Sequence, residues 1–322
     1  MSPAEITLAD VLGAREAIAG RLHRTPVFGS ATLSELTGAR VSLKAELFQR
    51  TGAFKPRGVL TKLESLSPEE QARGVIGISA GNHAQALAYC ARAEGMSALV
   101  VMWADANPAK VAATRGYGAE VDLTAPGPTE AFERLDELVA ETGRTLVHPF
   151  DDPLVIAGQG TVGLELVEDV PDVDVVVVPV GGGGLISGVA TAVKGLRPDA
   201  RIVAVEPELS PALHDALAAG QSVPVHPRSI ADGLGAPFAG NHAVAICTAL
   251  GVETVLVTEG EIEEGFRFLY ERAKLACEPA GAAASGALLA GKVPFEQGES
   301  VVAVVSGGNV AAETASAILA SR

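Results

Sequence analysis

The sequence is poor in cysteine, and this shortage excludes two kinds of scaffold. Its three cysteines, Cys90, Cys247 and Cys277, lie far apart, are odd in number and contain no C-x-x-C pair. A disulfide framework or a cysteine-bound zinc needs paired cysteines at short spacing. We therefore expect three buried thiols.

Basic charge is also in short supply. The 322 residues include 24 basic and 39 acidic side chains, which gives a formal net charge of -15. Such a balance repels the phosphates of nucleic acids and the surfaces of anionic lipid bilayers. We therefore expect neither a nucleic-acid partner nor a membrane partner.

Long apolar runs are absent as well. No stretch of the sequence approaches the roughly 18 unbroken apolar residues of a spanning helix. The N-terminus carries early acids and no apolar core of signal-peptide length, so we expect a cytoplasmic protein. In contrast, apolar residues make up 48% of the chain and glycine occurs 36 times, which is enough for one large domain or two modest ones.

Strands and helices are predicted to alternate along most of the chain. From residue 74, apolar runs such as "SALVVMW" precede helical stretches, and the series ends near Pro149. A second series runs from "DVDVVVVPV" to the end, and its near-continuous valine runs are typical of parallel strands covered on both faces. Residues 8–22 predict an amphipathic helix and "RVSLKAEL" predicts a strand, although periodicity does not indicate which sheet that strand joins. The pattern predicts an α/β protein.

The stretch "TGAFKPRG" at residues 51–58 places Lys55 between an aromatic ring and a proline. Most lysines are solvated surface charges. Here, however, Pro56 disfavours a helical backbone at Lys55, and Phe54 supplies an apolar wall beside the amine. Such an amine is suited to form a Schiff base with a carbonyl compound such as pyridoxal phosphate. That hypothesis requires a phosphate site, a partner for the pyridine nitrogen and a carboxylate site elsewhere in the chain.

Four consecutive glycines, Gly181 to Gly184, join a predicted buried strand to a helix in "VVVVPVGGGGLISG". Their backbone N–H groups can close around an anion at the helix N-terminus. A structural turn needs only one or two glycines. A dinucleotide site, with Glu206 on a ribose, is the rival interpretation, but no G-x-G-x-x-G register fits. A single phosphate is favoured.

Two further stretches meet the remaining requirements. In "ISAGNHAQALAY", Ser79 to His83 begin a predicted helix, where backbone amides and the Ser79 hydroxyl suit a carboxylate. The alternative is that Asn82 is a plain N-cap. In "VVSGGNV", Ser306 follows the last predicted strand, where its hydroxyl can face a ring nitrogen, although Ser-Gly-Gly is also ordinary loop sequence.

Together these stretches resemble the fold type II pyridoxal-phosphate enzymes, in particular the threonine/serine dehydratases and the related serine racemases. The resemblance extends in order over nearly the whole chain. It is carried by "RTPVF" (24–28), "KAELFQRTGAFKPRG" (44–58), "SAGNHAQALA" (79–88), "HPFDDPLVIAGQGTVGLE" (148–165), "PVGGGGLISG" (179–188), "ADGL" (231–234), "CEPAGA" (277–282) and "SGGN" (306–309).

The resemblance implies a role for each of these candidate residues. Lys55 would carry the cofactor as a Schiff base, Phe54 would pack against its ring, and Asn82 would bond the ring hydroxyl. Ser306 would face the pyridine nitrogen. The phosphate would be bound by Gly181, Gly182, Gly183, Gly184 and Leu185, and the substrate carboxylate by Ser79, Ala80, Gly81, Asn82 and His83. Glu278 is either a further contact on the cofactor side or an exposed helix cap.

The resemblance also implies the fold. We expect two domains, each with a mainly parallel sheet flanked by helices, as in the β subunit of tryptophan synthase. The large, cofactor-binding domain is expected to comprise residues 1–50 plus 150–322. The small domain is expected to comprise residues 51–149, with its core at 74–149 and the lysine segment near the boundary. We also expect a homo-oligomer, either a dimer or a tetramer.

Three departures from the family pattern refine this prediction. Serine racemases carry a serine acid/base directly after the position of Ser79, whereas this chain has Ala80, which favours elimination over racemisation. The family's divalent-cation site pairs a glutamate with an aspartate six residues later, whereas here Glu206 is followed by Ala212, so no metal site is confidently predicted. The chain also ends soon after "SGGN", and we expect no regulation through an appended C-terminal domain.

The predicted reaction is β-elimination from L-threonine or L-serine, which yields 2-oxobutyrate or pyruvate and ammonia. Lys55 would remove the Cα proton, and the family suggests that the cofactor phosphate helps hydroxide to leave. A serine at the ring nitrogen, unlike an aspartate, does not keep that nitrogen protonated, which fits elimination. A serine racemase, a 3-hydroxyaspartate dehydratase, a nicotinamide-dependent oxidoreductase and a non-catalytic pyridoxal-phosphate binder remain as alternatives.

Overall fold

Two mainly parallel sheets form the framework of the protein. The computed structural model describes residues 5–321, apart from the side chains of residues 128 and 129. The strands in chain order are β1 (Val27–Gly29), β2 (Arg40–Ala45), β3 (Val75–Ile78), β4 (Ala98–Trp103), β5 (Glu120–Ala125), β6 (Thr145–Leu146), β7 (Val175–Pro179), β8 (Arg201–Pro207), β9 (Glu253–Val257) and β10 (Ser300–Val305).

The strands are divided between a large and a small sheet. Within residues 5–321, the large sheet has six strands in the order β1-β2-β10-β7-β8-β9, and the small sheet has four in the order β5-β4-β3-β6. Strand β1 runs antiparallel to β2 at one edge, and the other pairs are parallel. The carboxyl ends of β7, β8 and β10 therefore lie at one edge of the large sheet, which is where ligands bind in open α/β sheets.

Helices cover the faces of both sheets. In chain order they are α1 (Leu8–Ala17), α2 (Ala31–Thr37), α3 (Pro56–Glu64), α4 (Pro68–Arg73), α5 (Asn82–Ala93), α6 (Pro108–Gly116), α7 (Pro128–Thr142), α8 (Pro153–Asp169), α9 (Gly184–Leu196), α10 (Ala212–Ala219), α11 (Asn241–Ala249), α12 (Glu259–Phe268), α13 (Pro279–Leu289) and α14 (Ala312–Ala320). Short 3-10 turns occur at Glu46–Phe48, Arg50–Gly52 and Asp232–Leu234, and a π-helical turn at Leu269–Ala273.

The valine run of β7 shows why the large sheet is buried on both faces. Val175 and Val177 pack into the apolar cluster that contains residues of α12 and α13, whereas Val176 and Val178 pack into the cluster on the opposite face with α9. Successive side chains of a strand point to opposite faces, so a strand covered on both sides needs apolar residues at every position. The sequence pattern therefore positions β7, and the glycines that follow it, in the centre of the sheet.

The predicted α/β class with mainly parallel sheets is confirmed, and several details were not foreseen. The sequence did not indicate which sheet strand β2 joins. It lies in the large sheet, between β1 and β10. The helix predicted over residues 8–22 ends at Ala17, because the chain turns at Gly20, whose φ of +72° favours glycine. The three cysteines are free and buried, as predicted.

The division into two domains at residues 50 and 149 stays a prediction. The strands of the small sheet all come from residues 75–146. Helix α3, which directly follows Lys55, packs on both α5 and α8. The lysine segment is thus in contact with the helices of both sheets, which is where the sequence-based boundary falls.

Candidate active site

Lys55 lies at the start of α3, where its amine meets a main-chain carbonyl from a distant segment. Its Nζ donates a hydrogen bond to the carbonyl oxygen of Pro149 at 2.8 Å and lies 5.0 Å from the centre of the Phe54 ring. Burial lowers the pKa of Lys55 to about 8, although the negative charge of Glu278 opposes the shift. An amine with this pKa is partly neutral near physiological pH, as a nucleophile or base requires.

The backbone of Lys55 differs from the prediction. Pro56 was expected to hold Lys55 in an extended conformation, but Lys55 has helical angles, with φ −51° and ψ −36°, and precedes a proline at the first helical position. The preference of a residue before proline is a bias that tertiary contacts can override. Here the bond from Lys55 to Pro149 and the burial of Pro56 accompany the helical geometry.

Arg57, two residues after Lys55, lies in a buried ion network. We call this network the anchor cluster, and it consists of Lys44, Glu46, Arg57 and Glu165. The Arg57 guanidinium donates to Glu46 Oε2 at 2.8 Å and to Glu165 Oε1 at 2.7 Å, and Lys44 Nζ donates to Glu165 Oε2 at 2.6 Å. Against the cost of burial, Arg57 and Lys44 hold the pKa of Glu165 below its usual range. The two positive and two negative charges compensate one another, and the network ties β2 and α8 to α3.

The four glycines follow β7 as predicted, and they are constrained by packing as well as by conformation. A Cβ atom at Gly182 would lie 2.3 Å from the ring of Phe150, and Gly183 has a φ of +91°. Helix α9 begins after Gly183 with no side-chain cap. Its first N–H groups therefore have neither an intrahelical partner nor a capping side chain, which makes this helix end suited to a phosphate.

The start of α5 is a second uncapped helix end. The Ser79 hydroxyl accepts a hydrogen bond from the amide of Gly81 at 3.0 Å. Gly81 occupies the N-cap position and makes no side-chain cap, so the alternative in which Asn82 is a plain N-cap is wrong. Ser79, Ala80, Gly81 and Asn82 are partly exposed, whereas His83 is buried.

The ring of His83 bonds a main-chain carbonyl group of another segment. Its Nε2 donates to the carbonyl oxygen of Val147 at 2.9 Å, since a carbonyl can only accept. Burial, with a further contribution from the positive charge of Lys55, lowers the pKa of His83 to about 3. His83 is therefore neutral, and only its backbone amide is available to a carboxylate.

Asn82 instead belongs to a polar network with two residues from the large sheet's side of the molecule. Its Nδ2 donates to Glu278 Oε1 at 2.7 Å, and its Oδ1 accepts from Asn309 Nδ2 at 2.8 Å. Glu278 is only 3% exposed. The interpretation of Glu278 as an exposed helix cap is therefore wrong, because its carboxylate is buried and bonds Asn82.

The ionisation of Glu278 is also perturbed. Burial raises its pKa to about 7, although the hydrogen bond from Asn82 favours the charged form, and the nearby charge of Asp232 adds to the rise. Asp232 forms an ion pair with Lys110 of α6. A buried carboxyl group that titrates near neutrality, close to a lysine with a lowered pKa, is typical of an active site.

Ser306 lies beside the lysine segment. Its carbonyl oxygen accepts a hydrogen bond from the Phe54 amide at 3.1 Å, and the next residue, Gly307, pairs with Ala53 in an isolated antiparallel bridge. The end of β10 and the residues before Lys55 therefore run side by side. The predicted partner of a ring nitrogen and the predicted lysine are thus brought together from opposite ends of the chain.

The segment at residues 148–152, "HPFDD", was given no role in the sequence analysis, although it lies within a stretch that carries the family resemblance. Pro149 accepts from Lys55, Phe150 packs on Gly182, and Asp151 accepts from the amides of Asn241 and His242 at the start of α11. It therefore joins the lysine, the glycine loop and α11. Only the family resemblance pointed to this stretch, since its functional group is a main-chain carbonyl.

Glu206 lies outside this constellation. Its carboxylate accepts from the amides of Leu213 and His214 at 2.7 and 2.8 Å, in the first turn of α10, and Ala212 is the first residue of that helix. Burial raises the pKa of Glu206 to about 8. Within residues 5–321, no group of three or more metal-binding side chains is found. The observed role of Glu206 is to satisfy a helix end, and its burial excludes contact with the ribose of a bound dinucleotide.

The fold and this site define a pyridoxal-phosphate enzyme of fold type II. The family of pyridoxal-phosphate dependent enzymes matches residues 18–307, and the chain belongs to that family. The predicted family and cofactor are therefore confirmed. No helix within residues 5–321 is both long and apolar enough to cross a membrane.

Comparison with individual proteins shows which members of this family the chain is similar to. The L-threonine ammonia-lyase of Thermotoga maritima is 43% identical over 306 residues, which cover 95% of this chain and 76% of that protein. The structure of maize serine racemase superposes with a TM-score of 0.93 at 35% identity, covering 97% of this chain and 96% of the racemase. The threonine deaminase of T.th. gives a TM-score of 0.89 at 40% identity, covering 95% of this chain and 99% of the deaminase. The chain is thus similar to lyases and to a racemase on one fold.

Proposed function

We propose that the protein is an ammonia-lyase that eliminates the β-hydroxyl group of L-threonine, L-serine or both. The observation that carries this proposal is the Lys55 amine, whose pKa is lowered and which bonds Pro149, the residue before the Phe150 that packs on Gly182. The chain just before Lys55 pairs with the end of β10, and the starts of α5 and α9 carry no side-chain cap. One helix end suits a carboxylate and the other a phosphate. Similarity to the ammonia-lyase of Thermotoga maritima supports the choice of reaction.

The residues present fit pyridoxal phosphate. The amides of Gly181 to Leu185 would hold the phosphate at the start of α9, the Phe54 ring would pack on the pyridine face, and the Ser306 hydroxyl would face the ring nitrogen. Asn82 would donate to the ring hydroxyl through a proton of its Nδ2. When bound, the cofactor supplies an electron sink conjugated to the substrate Cα.

The remaining steps fall to the chain's own groups. The amides and hydroxyl of residues 79–83 would bind the substrate carboxylate and fix the orientation of Cα. The Lys55 amine, once free, would take the Cα proton, which its lowered pKa suits it to do near neutral pH. The Pro149 carbonyl, already 2.8 Å from Nζ, would keep the amine oriented.

A racemase is the second candidate, because the maize enzyme shares the fold closely. Racemisation needs a proton donor on the face of Cα opposite Lys55. At the position directly after Ser79 this chain offers the methyl group of Ala80, which cannot donate a proton. Elimination is therefore the favoured outcome.

A substrate panel tests the proposal. Purified protein with pyridoxal phosphate should release 2-oxobutyrate from L-threonine or pyruvate from L-serine, with one ammonia per oxo acid. Release from 3-hydroxyaspartate in preference to both would reassign the substrate within the same reaction. If the protein racemises serine without releasing oxo acid, the racemase replaces the lyase.

We further propose a homo-oligomer in the cytoplasm. Phe28 and Phe48 are 39% and 49% exposed beside edge strand β1, with ring centres 6.2 Å apart. Contiguous exposed apolar patches occur at interaction surfaces, and we propose that this pair belongs to one. Changing both residues to glutamate should shift the mass measured by light scattering towards the monomer. The three buried, free thiols are compatible with a reducing compartment.

A further inference from the structure

Asn82 is held at both ends of its carboxamide group, and the chemistry of its neighbours fixes which end is which. Asn309 Nδ2 donates to the carbonyl oxygen of Thr51 at 2.7 Å, and a carbonyl can only accept. The nitrogen of Asn309 must therefore face Thr51, and its second proton goes to Asn82 at 2.8 Å. The oxygen of Asn82 then faces Asn309, and its nitrogen faces Glu278.

One proton of Asn82 remains to be accounted for. An asparagine amide has two donor protons. One goes to Glu278 Oε1 at 2.7 Å, and in the described part of the chain no second acceptor contacts Asn82 Nδ2. Asn82 is partly exposed at the start of α5. Its second N–H therefore points away from Glu278 and is free to meet a ligand.

We propose that Asn309 and Glu278 are positioning residues that orient the Asn82 carboxamide, so that its free N–H is presented to the ring oxygen of the cofactor. This inference rests on the proposed role of Asn82 as a cofactor contact. It adds that the orientation of the Asn82 carboxamide is fixed by two residues from the large sheet's side of the molecule. Asn309 lies in the loop after β10 and Glu278 directly before α13, whereas Asn82 belongs to a helix of the small sheet.

The backbone at Thr51 supports this assignment. Thr51 has a φ of +61°, in the left-handed region that β-branched residues rarely adopt. Strain of this kind is retained where the surrounding structure requires it, and it occurs often at functional sites. The strained residue Thr51 is also the one whose carbonyl oxygen accepts the hydrogen bond from Asn309. A Cβ atom at the next residue, Gly52, would lie 2.5 Å from Asn309 Oδ1.

The burial of Glu278 is a second, independent support. A buried carboxyl group is costly unless it is well bonded. The Glu278 side chain is 3% exposed and does not cap α13, the helix it precedes. Its observed side-chain partner is Asn82. A carboxylate at this position is thus explained by its bonds to Asn82 and to the backbone amide of Asn309.

A double-mutant cycle on cofactor affinity tests the inference. Apoprotein of the wild type, Asn82→Ala, Asn309→Ala and the double variant is titrated with pyridoxal phosphate, and the Kd and the visible absorption maximum are measured. Each single change should raise the Kd about 3- to 10-fold, as expected for one lost hydrogen bond. The double variant should match Asn82→Ala, because Asn309 acts through Asn82. Gln221→Ala, at an exposed carboxamide in the loop after α10, is the control and should leave the Kd unchanged.

Additive effects in the double variant, or an unchanged Kd and absorption maximum in Asn309→Ala, would overturn the inference. If Asn82→Ala itself leaves the Kd unchanged, the proposed role of Asn82 fails as well, while oxo-acid release still tests the lyase separately. Glu278 provides a second readout, because its carboxylate bonds the nitrogen of Asn82 whereas the Asn309 side chain bonds the oxygen. Glu278→Gln keeps an acceptor for Asn82 and should retain the Kd within about 2-fold, whereas Glu278→Ala should raise it as Asn309→Ala does. Equal effects of Gln and Ala would exclude Glu278 as a positioning residue.

Discussion

Two polar clusters lie on either side of Pro56, and they treat buried charge in opposite ways. In the anchor cluster beyond Pro56, Arg57 and its partners form direct ion pairs at 2.6 to 2.8 Å. The second cluster contains Lys55 and Glu278, and we call its place before Pro56 the cleft side. The two charges influence each other electrostatically, but each is hydrogen-bonded to a neutral group: Lys55 to the Pro149 carbonyl and Glu278 to the Asn82 carboxamide. The same types of charged residue are thus paired in one cluster and separated in the other.

The pKa values follow from this difference. In the anchor cluster the ion pairs favour the charged forms, and the pKa of Glu165 is lowered. On the cleft side burial dominates, so the pKa of Lys55 falls to about 8 and that of Glu278 rises to about 7. Buried charges in contact stabilise each other as ions, whereas buried charges kept apart move toward neutrality and become able to exchange protons. Four changes test this contrast.

The largest effect is expected from Lys55→Ala on the cleft side. One amine is proposed to hold the cofactor and to take the Cα proton, so turnover of L-threonine should fall by at least about 10⁴-fold. Steady-state release of 2-oxobutyrate measures the loss. Lys194→Ala, at a lysine in the last turn of α9, is the control and should turn over normally. Activity of Lys55→Ala within tenfold of the wild type would reject the assignment.

Arg57→Met should act on stability. Removing one member of a buried ion network leaves its partners uncompensated, so the apoprotein should lose about 3 to 5 kcal/mol of unfolding free energy. Urea denaturation measures it. The control is Arg40→Met, because Arg40 pairs with Asp172 while both side chains are more than 60% exposed, and it should cost less than about 1 kcal/mol. Similar losses of unfolding free energy in the two variants would show that the anchor cluster contributes no more to stability than an exposed ion pair does.

Glu278→Gln should change the pH dependence of stability. The folded-state pKa of about 7 lies above the ordinary value of 4.5, so the folded protein binds an extra proton between these values and loses stability as pH rises. The variant's advantage over wild type should therefore grow by about 2 to 3 kcal/mol from pH 4.5 to 7.5. Urea denaturation of both apoproteins at several pH values measures this. Glu261→Gln is the control, since the pKa of Glu261 is lowered, and its advantage should not grow.

The smallest effect is expected from Ala80→Ser, which adds a hydroxyl group to the cleft side. Wild-type enzyme given L-serine in heavy water should form pyruvate with almost no D-serine. The variant should form severalfold more D-serine, well below the 10² to 10⁴ of a fully supported acid/base, because the residues around position 80 are not arranged for one. Chiral chromatography measures the product. Abundant D-serine from the wild type would show that another residue protonates the opposite face.

The residues whose chemistry is local could be predicted from the sequence. The neighbours of Lys55, Phe54 and Pro56, were enough to predict a reactive lysine. In the same way, four glycines between a valine run and a helix were enough to predict a phosphate site. The bonds of Asn82 could not be predicted in this way, since its partners lie 196 and 227 residues away. The carbonyl of Pro149 was missed because main-chain groups leave no signal in side-chain patterns. The backbone of Lys55 was mispredicted because tertiary contacts outweighed a local preference.

The contact between Phe150 and Gly182 has a consequence for redesign of the protein. A methyl group at Gly182 would collide with the Phe150 ring at 2.3 Å, whatever ligand is bound. In a library that varies the glycines to change cofactor preference, variants with a side chain at residue 182 would therefore misfold. They would be lost before selection for a new ligand could act. Such a library should first shorten residue 150, for example to leucine, and only then diversify residue 182. The order of the two changes decides which variants can be reached.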